Sequence, residues 1–191
     1  MKTQKLLIVA FFFFASANLF AQADTNKDSH SLTIGIPEVA LLDIESSASK
    51  AITLNATAPS EAGEKVVFEQ TNNELWINYS SIVGNNSSRD VTVQITDGDV
   101  PNGIELSVQA KSYEGDGEGA MGKAVTSAIV LNDKKATNII EEIGSSYTGN
   151  GATKGHNLTY KISQSTDKDA YSKLNFDQSN TLTITYTLTD N

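Results

Sequence analysis

The stretch Thr181-Leu182-Thr183-Ile184-Thr185-Tyr186-Thr187-Leu188-Thr189-Asp190 decides the fold. It sets Leu182, Ile184, Tyr186 and Leu188 on one side and five threonines on the other. Successive side chains of an extended chain point to opposite faces, so this alternation suits a half-buried β-strand and no helix. The strand runs almost to Asn191, and the fold is expected to close on it.

Earlier segments repeat the pattern. Ser31 to Ile36 places Leu32, Ile34 and Ile36 against Thr33 and Gly35 before Pro37 interrupts any ladder, which predicts an edge strand followed by a second strand at Val39 to Ile44. Further strands are predicted with Ile52 and Leu54 inward, at Val66 to Gln70, at Leu75 to Ile82, at Val125 to Leu131 and at Leu158 to Ser163. In Leu75 to Ile82, Trp76, Asn78 and Ser80 share one face and Leu75, Ile77 and Tyr79 the other. Asp90 to Thr96 and Ile104 to Ala110 predict a hairpin with a long acidic tip. Ala136 to Gly144 carries the one helix-like spacing, Ile139, Ile140 and Ile143, over a length that also suits a strand. Asp167 to Leu174 predicts a helical turn. Lys111 to Lys123, rich in glycine, is expected to hold no regular structure by itself. The whole predicts an all-β fold: a single immunoglobulin-like β-sandwich of about ten short strands with little helix, over residues 31–191.

Met1 to Ala23 reads as a secretory signal peptide. Lys2 and Lys5 precede the apolar run Leu6 to Ala15, and Ala21-Gln22-Ala23 has the small-x-small form of a cleavage site. The run is too short for a good membrane span. The mature chain is then expected to begin at Asp24, with a mobile arm over residues 24–30. It would carry no membrane span and would act in the periplasm, at the cell surface or outside the cell. Taking Lys2 and Lys5 from the 14 basic residues leaves 12 against 23 acidic, a net charge of −11. Such a surface repels phosphate backbones, so nucleic acid is not an expected partner. The chain has no cysteine, hence no disulfide, and sheet packing must supply the stability. Its five Asn-x-Ser/Thr sequons, at Asn55, Asn78, Asn85, Asn86 and Asn157, are read as polar loop and strand chemistry rather than glycosylation.

The acidic loops offer the best site chemistry. Asp97 and Asp99 flank Gly98, and Glu114, Asp116 and Glu118 alternate with glycines. Carboxylates on adaptable backbone suit calcium, which takes several hard oxygens, although the spacing matches no EF-hand and the alternative is a solvated loop. A paired-carboxylate hydrolase needs rigid placement and a sugar platform, which these loops lack. There is no Gly-x-Ser-x-Gly elbow, and the only histidines are His30, in the arm, and His156, read as a polar loop residue. The chain is therefore not expected to be an enzyme. Trp76, Tyr79, Tyr113 and Tyr147 are the candidate stacking surfaces for a glycan, against the alternative that each packs in the core.

Val100-Pro101-Asn102-Gly103-Ile104-Glu105-Leu106-Ser107-Val108 and the terminal Leu182 to Thr189 run resemble the closing parts of secreted bacterial β-sandwich domains of the spore-coat-U/fimbrial-subunit and WxL types. Ala40 to Ile44 and Tyr147 to Gly151 are similar to uncharacterised exported proteins of the Bacteroidetes. The paired Trp-x-Leu motifs of one type and the cysteine pair of some members of the other are missing. The resemblance implies a structural or adhesive role in the bacterial envelope or pili, with other envelope or pilus proteins or a second copy as partners, and carries over no catalytic residue. The mode of contact expected is strand addition by Ser31 to Ile36, against pairing within its own sandwich. The alternative function is a carbohydrate-binding module, with or without calcium.

Overall fold

The computed structural model describes residues 26–178 and 180–191. The expected signal peptide, and Asp24 and Thr25 of the expected arm, lie outside the described residues. The chain divides after Gly35 into an N-terminal segment and an all-β unit from Ile36 to Asn191.

That unit contains β1 (Val39–Ser46), β2 (Thr71–Ile82), β3 (Arg89–Asp97), β4 (Ile104–Ala110), β5 (Glu118–Ala124), β6 (Ile129–Val130), β7 (Thr137–Tyr147), β8 (His156–Gln164) and β9 (Thr183–Asp190), with one turn of 3-10 helix at Ala170–Lys173. The all-β class read from the sequence is the class found. One half of the hydrogen-bonded network is β6-β4-β8-β2, with β1 also on β2. The other is β7 with β5 and β3 as neighbours, and β9 beyond β3. The halves join where Ser80 and Ser81 of β2 pair with Tyr147 and Ser146 of β7.

Both halves fill one core. Ile77 and Tyr79 of β2, Val91, Val93 and Ile95 of β3, Val108 of β4, Ile140 and Ile143 of β7, and Leu158 and Tyr160 of β8 form a continuous buried cluster. Each buried aliphatic side chain contributes about 1.5–3 kcal/mol, which is how a chain without disulfides holds a sandwich-like fold. The halves also touch through polar atoms, because the Tyr160 hydroxyl of β8 meets that of Tyr186 of β9 at 2.5 Å. Strand β9 has the predicted faces, Ile184, Tyr186 and Leu188 packing on the core and Thr183, Thr185 and Thr187 outward. Its outer face is tied to β3 where the hydroxyls of Thr96 and Thr185 lie 2.8 Å apart.

Two expectations are corrected and one open alternative is decided. Strands β3 and β4 do not form a hairpin: β3 lies between β7 and β9, and β4 between β8 and β6. The connection turns at Gly98 and Gly103, both with φ near 80°, and carries the chain from one half to the other. Residues 137–147 are a strand, and their helix-like spacing has a local cause. The register against β3 shifts around Val91, and Glu142 takes φ 61°, so Ile139, Ile140 and Ile143 all reach the interior without strict alternation. The Asp90 carboxylate fixes this irregularity, accepting from the Glu142 N–H at 3.0 Å and from Asn138 Nδ2 at 2.9 Å. Third, the second half of the glycine-rich stretch is β5. Side chains at Gly117, Gly119 and Gly122 would collide with the carbonyls of Tyr147, Ser145 and Glu141, so glycine is what lets this segment lie against β7.

Predicted strands at Val39 to Ile44, Leu75 to Ile82 and Leu158 to Ser163 are found as β1, β2 and β8, each longer than predicted, whereas Val125 to Leu131 shortens to β6. Val66 to Gln70 contributes one bridge, Val67 with Thr57, and Ile52 and Leu54 pack half-buried without forming a strand.

Candidate functional site

The N-terminal segment is the first candidate. Ser31 to Ile36, predicted as a strand, carries no strand pairing among the described residues. Its apolar side chains are exposed: Leu32 by 76%, Ile34 by 79% and Ile36 by 79%. Apolar alternation without a partner is unusual, because a strand gains its stability from burying one face.

Within the all-β unit, cover over the core is uneven. The inward residues of β2, β3, β7 and β8 are buried, whereas Leu42 and Ile44 of β1 and Ile184 and Leu188 of β9 are only half-buried. Strands β1 and β9 each have one strand neighbour, β2 and β3 respectively. Arg89, from the first position of β3, clasps them at one end: its guanidinium donates to the Val39 carbonyl at the start of β1 and to the Asp190 carboxylate at the end of β9.

The five acidic candidates do not converge. Strand β7 separates them, with Asp97 and Asp99 beyond its first residue and Glu118 opposite its last, Tyr147, a distance of roughly 30 Å at the rise of a strand. Asp99 lies 2.6 Å from Lys134 Nζ, and Asp116 3.0 Å from Lys154 Nζ. Among the described residues no group of three or more acidic, histidine or cysteine side chains could hold a metal.

The aromatic candidates part company as well. Tyr79 is a correction: it is 3% exposed, because the period of two sends it inward with Leu75 and Ile77, so its ring is no stacking surface. Tyr113 is half-buried, its hydroxyl donating to the Thr148 carbonyl at 2.8 Å and accepting from the Gly117 N–H at 2.5 Å. Tyr147 is 48% exposed. Trp76 is half-buried on the outer face of β2 and lines a groove with Asn73, Glu74, Lys111, Glu114 and Thr153.

His156, read as a loop residue, is instead the buried first residue of β8, in register with Ile77. Its Nδ1 lies 2.8 Å from the Lys111 carbonyl and its Nε2 2.9 Å from the Tyr79 hydroxyl, which also bonds the Met121 carbonyl. Its ring stacks on Tyr79 and tilts against Tyr113. This chain of contacts ties both ends of the glycine-rich segment to β2 and β8. Nothing in the local sequence marks it; the signal would have been that His156 stands two residues before Leu158, in phase with Leu158, Tyr160 and Ile162.

Burial holds the His156 imidazole below its ordinary pKa, the bonds to Lys111 and Met121 opposing only in part. The neutral ring is thus the form that favours folding, and its contribution is present above pH 6.5 and lost as pH falls below it. Burial also raises the Tyr160 hydroxyl to about 12, and raises those of Tyr79 and Tyr186 from their ordinary value. Their contribution is complete below pH 10 and is lost as pH rises through 10 toward 12. The thermal midpoint is therefore expected to be highest between about pH 7 and 9, and His156→Gln to flatten the limb just below pH 6.5. A limb of the same slope in that variant would contradict the role given to the ring.

No family model, curated protein or solved structure matches this chain. The class of protein is accordingly given by its own structure: an all-β unit with unevenly covered edges, preceded by a segment that exposes Leu32 and Ile34.

Proposed function

We propose that this chain is an exported structural or adhesion component of the bacterial cell surface or pili, acting through protein interfaces by strand addition. The observation that carries the reading is the exposure of Leu32, Ile34 and Ile36 in an alternating segment that has no strand pairing among the described residues and ends at Pro37. A strand with one apolar face gains most by adding to a sheet edge whose core is thinly covered, where main-chain bonds give affinity and alternate side chains fill the gap. The half-buried Leu42, Ile44, Ile184 and Leu188 supply such an edge on a second copy of the chain. Export rests on the Met1 to Ala23 pattern.

Removal of residues 24–36 tests the proposal. The mature chain is expected to self-associate with rising concentration in sedimentation experiments, and the truncated one to stay monomeric with an unchanged thermal midpoint when dilute. If the truncated chain is less stable at every concentration while association is unaltered, the segment serves its own fold and the proposal fails.

A further inference from the structure

The groove at Trp76 differs from the rest of the surface in its chemistry. Trp76 stands on β2 between Glu45 of β1 and Asn157 of β8, with one part of its ring system covered and the other facing the groove. Around it are an amide, Asn73, two carboxylates, Glu74 and Glu114, the Lys111 ammonium and the Thr153 hydroxyl. Among the described residues, neither the Glu114 carboxylate nor the Lys111 ammonium is engaged in an ion pair.

The walls are already fixed. Asn157 Nδ2 donates to the carbonyls of Asn73, at 2.7 Å, and Leu75, at 3.2 Å, while its own carbonyl accepts from the Lys111 N–H at 2.8 Å. The Lys111 carbonyl is held by His156. On the other wall, Asn78, 5% exposed, donates to the Gly151 carbonyl at 2.8 Å and pins the loop that carries Thr153. Its Oδ1, against Gly155 at the groove wall, is buried without a hydrogen-bond partner. A ligand entering here would not have to order the loops first, which lowers the cost of binding.

We infer that this groove binds a neutral oligosaccharide. A pyranose ring has a C–H face that packs on an indole and a rim of hydroxyls that both donate and accept, and the groove offers one aromatic ring and otherwise amide, carboxylate, hydroxyl and ammonium groups. A wholly apolar ligand would find one apolar wall. Two carboxylates against one ammonium disfavour uronic acids and phosphates. The site is independent of strand addition by residues 31–36 and stands if that reading fails.

Trp76 is the single tryptophan of the chain, so its fluorescence reports the groove directly. Cellohexaose, maltohexaose, mannohexaose and chitohexaose would each be titrated into the protein, with oligogalacturonate as the acidic comparison. The expected result is a saturable change with at least one neutral sugar and none with oligogalacturonate. Glu114→Ala, at an exposed position, should weaken that binding at least about fivefold without moving the thermal midpoint. Trp76→Ala, followed by calorimetry, should weaken it at least about tenfold. The inference is overturned if no neutral sugar gives a saturable change, if oligogalacturonate binds as tightly, or if Glu114→Ala binds like the parent. Should Trp76→Ala not fold, the Glu114→Ala titration decides.

Discussion

Arg89→Ala is expected to lower the unfolding free energy by about 3–5 kcal/mol and the thermal midpoint by roughly 10 °C. The side chain is 2% exposed, and its guanidinium reaches from β3 to three other strands, β1, β2 and β9. Nε donates to Asp190 at 2.8 Å, Nη2 to Glu38 at 2.5 Å, and Nη1 to the Val39 carbonyl at 2.5 Å and to the Ile82 carbonyl and the Ser81 hydroxyl at 3.2 Å. The carboxylates are 81% and 74% exposed, so they return to water at small cost when the cation goes. The larger loss is at the carbonyl and hydroxyl acceptors beneath, left without a donor, and in the cavity. Arg89→Lys keeps the charge but loses the planar fork and should recover only part of the loss. Chemical denaturation measures both; a loss below about 1 kcal/mol for alanine would show that the clasp does not hold β1 and β9.

Gly155→Ala is expected to cost about 2–3 kcal/mol. The residue is buried just before β8, and an added Cβ would overlap the Asn78 side chain and the Ile77 carbonyl, the latter backbone that no rotamer change can relieve. Relief requires β8 to move off β2 just where His156 pairs with Ile77, so the bonds of that ring to Lys111 and Tyr79 should lengthen too. Gly84→Ala is the matched comparison, since its added methyl would meet only the Ser87 hydroxyl at 3.9 Å, and should stay within about 0.5 kcal/mol of the parent. Equal effects at the two positions would contradict the close approach of β8 to β2.

The strands were legible where side chains alternate cleanly. Leu182 to Leu188 and Leu75 to Tyr79 have the faces that their period of two requires, because one side of each strand meets the core. What period cannot convey is pairing. Nothing in Asp97 to Gly103 tells a tight hairpin from a crossing between halves, since both use glycine and proline turns. Strand β7 was disguised by its irregularity at Glu142, which a distant residue, Asp90, stabilises. Strand β5 was hidden by glycines, whose missing side chains erase any hydrophobic pattern while permitting close contact with β7.

The candidate residues divide on similar grounds. The phase of β2 set Trp76 on the face opposite Leu75, Ile77 and Tyr79 without telling whether that face is open, and its groove is built by Lys111, Glu114 and Thr153, from loops that only the fold brings together. The acidic residues looked alike in sequence and are separated by the length of β7. Arg89 carried no local signal and His156 only its phase with Leu158, because their roles are set by carbonyls contributed from distant parts of the chain.

The central claim is that residues 31–36 add as a strand to a neighbouring molecule, and amide hydrogen exchange of that segment tests it most directly. Strand addition predicts that the amides of residues 32–36 exchange at the rate of open chain in dilute protein. Protection, strongest at alternate positions, should appear only as the concentration rises into the associating range. Open-chain exchange at every concentration, or protection that does not change with concentration, would contradict it.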